Sequence, residues 1–144
     1  MAVAFEWLLA NIPEADEPVV VHGDAGLHNL IANNDVITAM IDWELIHVGD
    51  ASEDLLYSRN WIDQVMDFDE FLAIYEANGG TTYDPARARY YSLLTNVRNV
   101  TCTIAQYRGF RDAVAPLLPS AHSGLKWQKT FLLKAAEDLK ALLV

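Results

Sequence analysis

Lysine is missing from this chain until Lys126, and basic side chains are scarce throughout: ten Lys and Arg stand against twenty Asp and Glu, a net charge of −10. A protein that grips nucleic acid needs clustered cations against the phosphate backbone, so that class of partner is excluded. The surplus of carboxylates is compatible with a cationic ligand or with metal-bridged phosphates. Cysteine is almost absent. The single Cys102 rules out an internal disulfide and any cysteine-built zinc cluster. Flanked by Val100 and Ile104, it reads as a buried core thiol. Apolar runs stop well short of the ~20 residues that cross a bilayer. The start, Met1-Ala2-Val3-Ala4-Phe5-Glu6-Trp7, has neither a basic region nor a cleavage signature. The default expectation is a soluble, cytoplasmic protein with no membrane partner. Repeats, low-complexity tracts and linkers are missing too, so 144 residues with 52% hydrophobics predict one domain, 1–144, with its own core.

What is present changes character at about Asp42. Before it, a short helix over about Val3–Asn11 is stopped by Pro13, and Pro18 opens a β-branched run, Val19-Val20-Val21-His22. Leu30–Ala32 and Val36–Ile41 flank Asn33-Asn34-Asp35, a hairpin turn of residues that tolerate positive φ. After it the pattern is helical to the end. Asp50 and Glu53 form a capping-box-like start to a helix reaching about Trp61. A second begins at Asp67 or Asp69 and ends at Asn78-Gly79-Gly80. Asp84-Pro85 opens the longest helix, whose core stripe is Tyr90, Leu93, Leu94, Val97, Val100 or Thr101, and Ile104, with Gly109 at its end. Phe110–Leu118 holds at most a short turn broken by Pro116 and Pro119. A last helix over about Leu125–Leu143 turns Phe131, Leu132, Ala135, Leu139 and Leu142 inward. The fold class is α+β, mostly helical, with a small β-hairpin packed on a helical bundle.

The chain is organised around His22–Asp54. Two polar clusters, His22-Gly23-Asp24…Asn29 and Asp42-Trp43-Glu44, sit at the ends of apolar strand-type runs, where carboxylates and an amide are costly unless used. An Asp, an Asn five residues on, and an Asp closing the next strand form the spacing of a phosphoryl-transfer site. One Asp meets the substrate hydroxyl while the Asn and second Asp hold Mg²⁺. Mg²⁺ favours such hard oxygen ligands, and two neighbouring carboxylates stay ionised together when a cation is shared.

H-G-D-x-x-x-x-N, then I-D-W-E, then G-D-x-x-E-D-L resembles the C-terminal lobe of the aminoglycoside phosphotransferase and choline kinase-like superfamily, small-molecule kinases with a protein-kinase-like fold. The resemblance runs from about Trp7 to the last helix. It implies that Asp24 is the catalytic-loop aspartate that takes or orients the acceptor's hydroxyl proton. It implies that Asn29 and Asp42 are the Mg²⁺ ligands, that His22 packs beneath the loop, and that Asp54 braces the loop backbone. It implies ATP or GTP as phosphoryl donor and a small-molecule hydroxyl as acceptor. His28 stands where such loops often have glycine and reads as a surface residue, with a substrate- or metal-side role as its rival. Glu44 reads equally as a metal- or substrate-side residue and as a solvated strand end. His47 carries no assignable role, Asp50 reads first as a cap, and Tyr90, Tyr91, Arg98 and Asn99 read as core before cleft.

The family's nucleotide-binding lobe, with its glycine-rich loop, phosphate-binding Lys and Glu partner, has no counterpart before His22. The expectation is therefore a truncated catalytic lobe, inactive alone, that self-associates through uncovered apolar surface. Two rival classes stay open. One is a non-catalytic, kinase-like binding module. The other is a metal-dependent hydrolase using His22, Asp24, His28, Asp42 and His47 as a mixed cluster for Zn²⁺, Mn²⁺ or iron.

Overall fold

The computed structural model describes residues 1–14, 17–114 and 118–143. The chain divides into two compact units, Pro13–Tyr91 on one side and Met1–Ile12 with Ser92–Val144 on the other.

The Pro13–Tyr91 unit contains all the strands found among the described residues. β1 (Val19–Val21) pairs antiparallel with β4 (His47–Gly49), Val21 opposite His47. Between them in sequence lies the hairpin of β2 (Leu30–Asn33) and β3 (Val36–Met40), with a register shift after Ile31. Its two connecting residues, Asn34 and Asp35, both take positive φ, 49° and 63°. That is the primed turn whose twist matches the strands, and Asn and Asp reach it at small cost. The sequence thus places the hairpin correctly, while the β1–β4 pairing spans residues too distant for any local pattern to reveal.

Two helices complete this unit's core. α2 (Ser52–Ile62) and α3 (Phe68–Ala77) bring together Ala51, Leu55, Ile62, Phe68 and Leu72, with Val19 and Tyr83 packed against them. Each large side chain buried there is worth ~1.5–3 kcal/mol. α3 starts where expected, Asp67 Oδ1 accepting from the backbone N–H of Asp69 and Glu70. It ends at the expected glycines, with Gly80 N–H on the Tyr75 carbonyl and Gly79 N–H on that of Glu76. α2 begins one residue later than a cap at Asp50 implies. Asp50 Oδ1 still accepts from Ser52 N–H at 2.8 Å, and the Glu53 carboxylate meets His47.

α4 (Pro85–Arg111) starts in this unit and continues into the other. There Leu93, Val97 and Val100 are fully buried, with Ala4 and Leu8 of α1 (Ala2–Ala10) and Ala135 of α5 (Leu118–Leu142) also buried. Asp138 Oδ2 ties α5 to α4 by accepting from Ser92 Oγ and Asn96 Nδ2, at 3.0 and 2.8 Å.

Four expectations need correction in this second unit. Cys102 is exposed, because the buried stripe runs through Val100 and Thr103 and leaves it, with Thr101, on the outer face. Gly109 does not end α4. A helical glycine costs only ~1 kcal/mol, and the helix runs on to a left-handed stop at Ala113 (φ 55°), with Val114 N–H on the Gly109 carbonyl. α5 starts at Leu118, seven residues before Leu125. Pro119 sits in its first turn, where a missing N–H goes unnoticed, so it starts the helix instead of breaking it. Leu132 is 44% exposed, since the inward stripe follows Phe131, Ala135 and Leu139. Pro116 lies outside the described residues. Among those described, no helix is long and apolar enough to cross a membrane.

Candidate functional site

The site grows from the point where β1 ends and the backbone turns sharply. Gly23 takes φ +83°, and a Cβ there would lie 2.8 Å from Leu45 Cβ and 2.9 Å from the Leu45 carbonyl oxygen, so only glycine fits. This turn is held from α2. Asp54 accepts from His22 N–H at 2.6 Å and from Gly23 N–H at 2.9 Å, one amide for each carboxylate oxygen.

His22 is buried and saturated. Its Nε2 contacts the Ile41 carbonyl at 2.9 Å and its Nδ1 accepts from Asp24 N–H at 3.2 Å. Only the Nε2–H tautomer completes both contacts. The indole of Trp43 covers the ring at 4.5 Å, and its own Nε1–H donates to the Met40 carbonyl. His22 therefore fastens the loop after β1 to the end of β3, with no ring nitrogen left for a ligand.

Beyond Gly23 the chain presents Asp24, then makes a 3-10 turn over Leu27–Asn29 into β2. Buried Asn29 reaches back with its amide nitrogen to the Asp24 carbonyl at 2.9 Å and to Asp24 Oδ2 at 3.0 Å. Both partners are acceptors, which fixes the amide's orientation and turns its oxygen away from Asp24. His28 Nε2 approaches the same Oδ2 at 3.3 Å. Both side-chain contacts thus converge on Asp24 Oδ2.

Asp42 joins through the backbone. The Ile41 N–H donates to the Asn29 carbonyl at 2.9 Å, extending the Leu30–Met40 pairing by one step, so Asn29 and Asp42 share one end of the hairpin. Asp42 is exposed and left-handed, at φ 66° and ψ 54°, before a second 3-10 turn over Trp43–Leu45. Such strain in a non-glycine residue persists where the surroundings over-determine it, here the His22 and Trp43 contacts on either side. Glu44 is exposed on that turn and lies outside the bonded group.

Several contributors escaped sequence reasoning. Ser58 Oγ donates to the Ala25 carbonyl, and the Trp61 ring lies 5.8 Å from that of His28. With Asp54 they occupy positions i, i+4 and i+7 of α2, so one helix face holds three successive points of the loop. The i+4 and i+7 spacing is visible in the sequence, but only as a generic helix face. His47 also gains a role, its Nε2 meeting buried Glu53 at 3.1 Å. Nearby, Arg87 pairs with buried Asp50 at 3.4 Å.

Tyr90 and Tyr91 are buried in an edge-to-face pair, 5.2 Å apart, consistent with a core role. Burial pushes the Tyr91 phenol up to about 12, with the Asp50 carboxylate adding to it. Burial and then Glu53 raise Tyr90. Arg98 and Asn99 belong to the other compact unit. Among the described residues, no three His, Cys, Asp or Glu side chains gather so as to hold a metal ion. The mixed His/Asp cluster of the hydrolase reading therefore has no support, and saturated His22 could not serve it.

Residues 1–91 match the family model described as the phosphotransferase enzyme family. A stretch of 55 residues is 38% identical to acyl-CoA dehydrogenase family member 10 of Mus musculus, covering 37% of this chain and 5% of that protein's length.

Proposed function

This chain belongs to the phosphotransferase enzyme family, and from that premise we propose that it carries the catalytic loop and metal ligands of an ATP- or GTP-dependent small-molecule O-phosphotransferase, in the C-terminal lobe of a kinase-like fold. One observation carries the reading. Asn29 is bonded through its side chain to Asp24 and through its backbone to Ile41, the residue before Asp42, so these three candidate residues lie at one end of the hairpin.

The donor chemistry fits Mg²⁺. The Asn29 amide oxygen and the exposed Asp42 carboxylate are hard oxygen ligands, a pair suited to a cation that keeps waters and substrate phosphates as its other ligands. When bound, the ion offsets the charge of the transferring phosphates. Asp24 Oδ1 takes the proton of the acceptor hydroxyl as that oxygen bonds to the γ-phosphorus. The bond from phosphorus to the β–γ bridging oxygen breaks, and nucleoside diphosphate leaves. Asp54 and His22 keep Asp24 in place by fixing the loop backbone, since phosphoryl transfer relies almost wholly on positioning and charge stabilisation.

The test is phosphoryl transfer from MgATP and MgGTP to a panel of sugars and amino alcohols, followed by ³¹P NMR. With this chain joined to a nucleotide-binding lobe, Asp24→Asn is expected to lower kcat by ~10²–10⁴, or ~3–5 kcal/mol of barrier, and an unchanged rate would remove Asp24 from the role. Thermal melts give an independent check. Mg²⁺ with nucleotide raises the Tm of the wild type and leaves Asp42→Ala unmoved. A wild-type melt indifferent to both contradicts the proposal and favours a non-catalytic binding module.

A further inference from the structure

We infer that His28 is a positioning residue for Asp24, an inference that rests on the phosphotransferase reading and adds to it a side chain that nothing else assigns to the reaction. The imidazole is held on two sides. Its Nε2 lies 3.3 Å from Asp24 Oδ2, and its ring lies 5.8 Å from the Trp61 indole, tilted by 55°. Gly26 supplies the room: a Cβ there would stand 2.4 Å from His28 Cε1. The ring therefore occupies a defined place although 46% of its side chain is exposed.

The consequence falls on the carboxylate. The terminal torsion of an aspartate is broad and nearly two-fold, so one donor leaves the two oxygens poorly distinguished. Asn29 Nδ2 and His28 Nε2 both converge on Oδ2. Two donors on one oxygen select a single rotamer and present Oδ1 alone to the acceptor. Asn29 supplies the buried half of this clamp, and His28 supplies the half open to solvent. An exposed pair of this kind adds little to stability, so its value lies in aiming the base.

The experiment compares His28→Ala and His28→Gln, with Asp24→Asn beside them, in protein labelled with ¹³C at the aspartate carboxyls. The Asp24 resonance, identified by its loss in Asp24→Asn, is expected to move in His28→Ala and to return most of the way in His28→Gln, whose amide can donate from a similar place. Both His28 variants keep the wild-type Tm within ~2 °C, as exposed substitutions do. With the chain joined to a nucleotide-binding lobe, turnover of MgATP with water as acceptor is expected to lose roughly 5–50-fold in kcat at constant KM in His28→Ala, the scale of a misaimed base, with recovery in His28→Gln. A resonance that ignores His28→Ala overturns the inference, and this readout needs no turnover. A kcat unchanged in His28→Ala while Asp24→Asn is inactive overturns it as well. A resonance that responds to His28, beside turnover indifferent to Asp24→Asn, overturns the phosphotransferase reading and with it any catalytic role for His28.

Discussion

Replacing Asp54 by alanine removes one side chain and two anchors. Its oxygens accept from His22 N–H at 2.6 Å and Gly23 N–H at 2.9 Å, in a half-buried position on α2. A hydrogen bond to a charged partner contributes ~1.5–3 kcal/mol, and a buried amide left without its acceptor bears its full desolvation cost, so the pair is worth ~3–6 kcal/mol. That is a large part of the ~5–15 kcal/mol by which ordinary domains are stable. A chain of this size loses about 3 °C of Tm per kcal/mol, so Asp54→Ala should melt roughly 9–18 °C lower. Amide exchange localises the effect. The His22 and Gly23 amides should exchange ~10²–10⁴-fold faster, if opening of this turn becomes easier by the same free energy. Asp63→Asn is the control. It loses only the exposed pair with Arg59 at 3.5 Å, worth ~0–1 kcal/mol. An Asp54→Ala protein that melts within ~2 °C of wild type and keeps protection at Gly23 would refute the reasoning, because the carboxylate would then not be what holds the turn.

Gly23→Ala meets both a left-handed φ of +83° and the wall of Leu45. A loss of ~2–4 kcal/mol is expected from the denaturant midpoint at unchanged m value, and a loss under ~0.5 kcal/mol contradicts the geometry. Asp35→Gly replaces a residue at φ 63° in the primed turn, and should raise stability by ~0.5–1 kcal/mol; a lower Tm would show that the Asp35 side chain has a partner role. Burial pushes the Tyr91 phenol from its ordinary value of 10.0 up to about 12 in the folded chain. The unfolded state therefore binds fewer protons across that window, and stability falls as pH rises through it. Tyr91→Phe should flatten that decline in thermal melts between those two pH values, and a parallel decline would count against the burial argument.

The elements legible in the sequence are those whose cause is local. Asn34-Asp35 marks the hairpin because the primed turn asks for positive φ from those two residues alone. Asp67 and Gly79-Gly80 bound α3 because capping bonds span two to five residues. Where the deciding partner lay elsewhere, local reading failed. Cys102 has Val100 and Ile104 two positions away on either side and yet faces outward, because burial follows the helix stripe and not nearness in sequence. Gly109 looks like a stop, yet its intrinsic cost of ~1 kcal/mol is too small to end a long helix by itself.

The same division runs through the site. The sequence by itself singled out the candidate residues for chemistry, since an aspartate, an asparagine five positions on and an aspartate closing the next strand are costly there unless used. Tertiary structure alone decided how they are held. Asp54 reaches the His22 and Gly23 amides across 32 and 31 residues, and Ser58 reaches Ala25 across 33. Asn29 finds Ile41 only because a hairpin folds between them. His28, which reads as a surface histidine, becomes a neighbour of Asp24 once Gly26 and Trp61 give it a place. A side chain's chemistry is local, but the direction in which it is aimed depends on contacts that form only when distant segments meet.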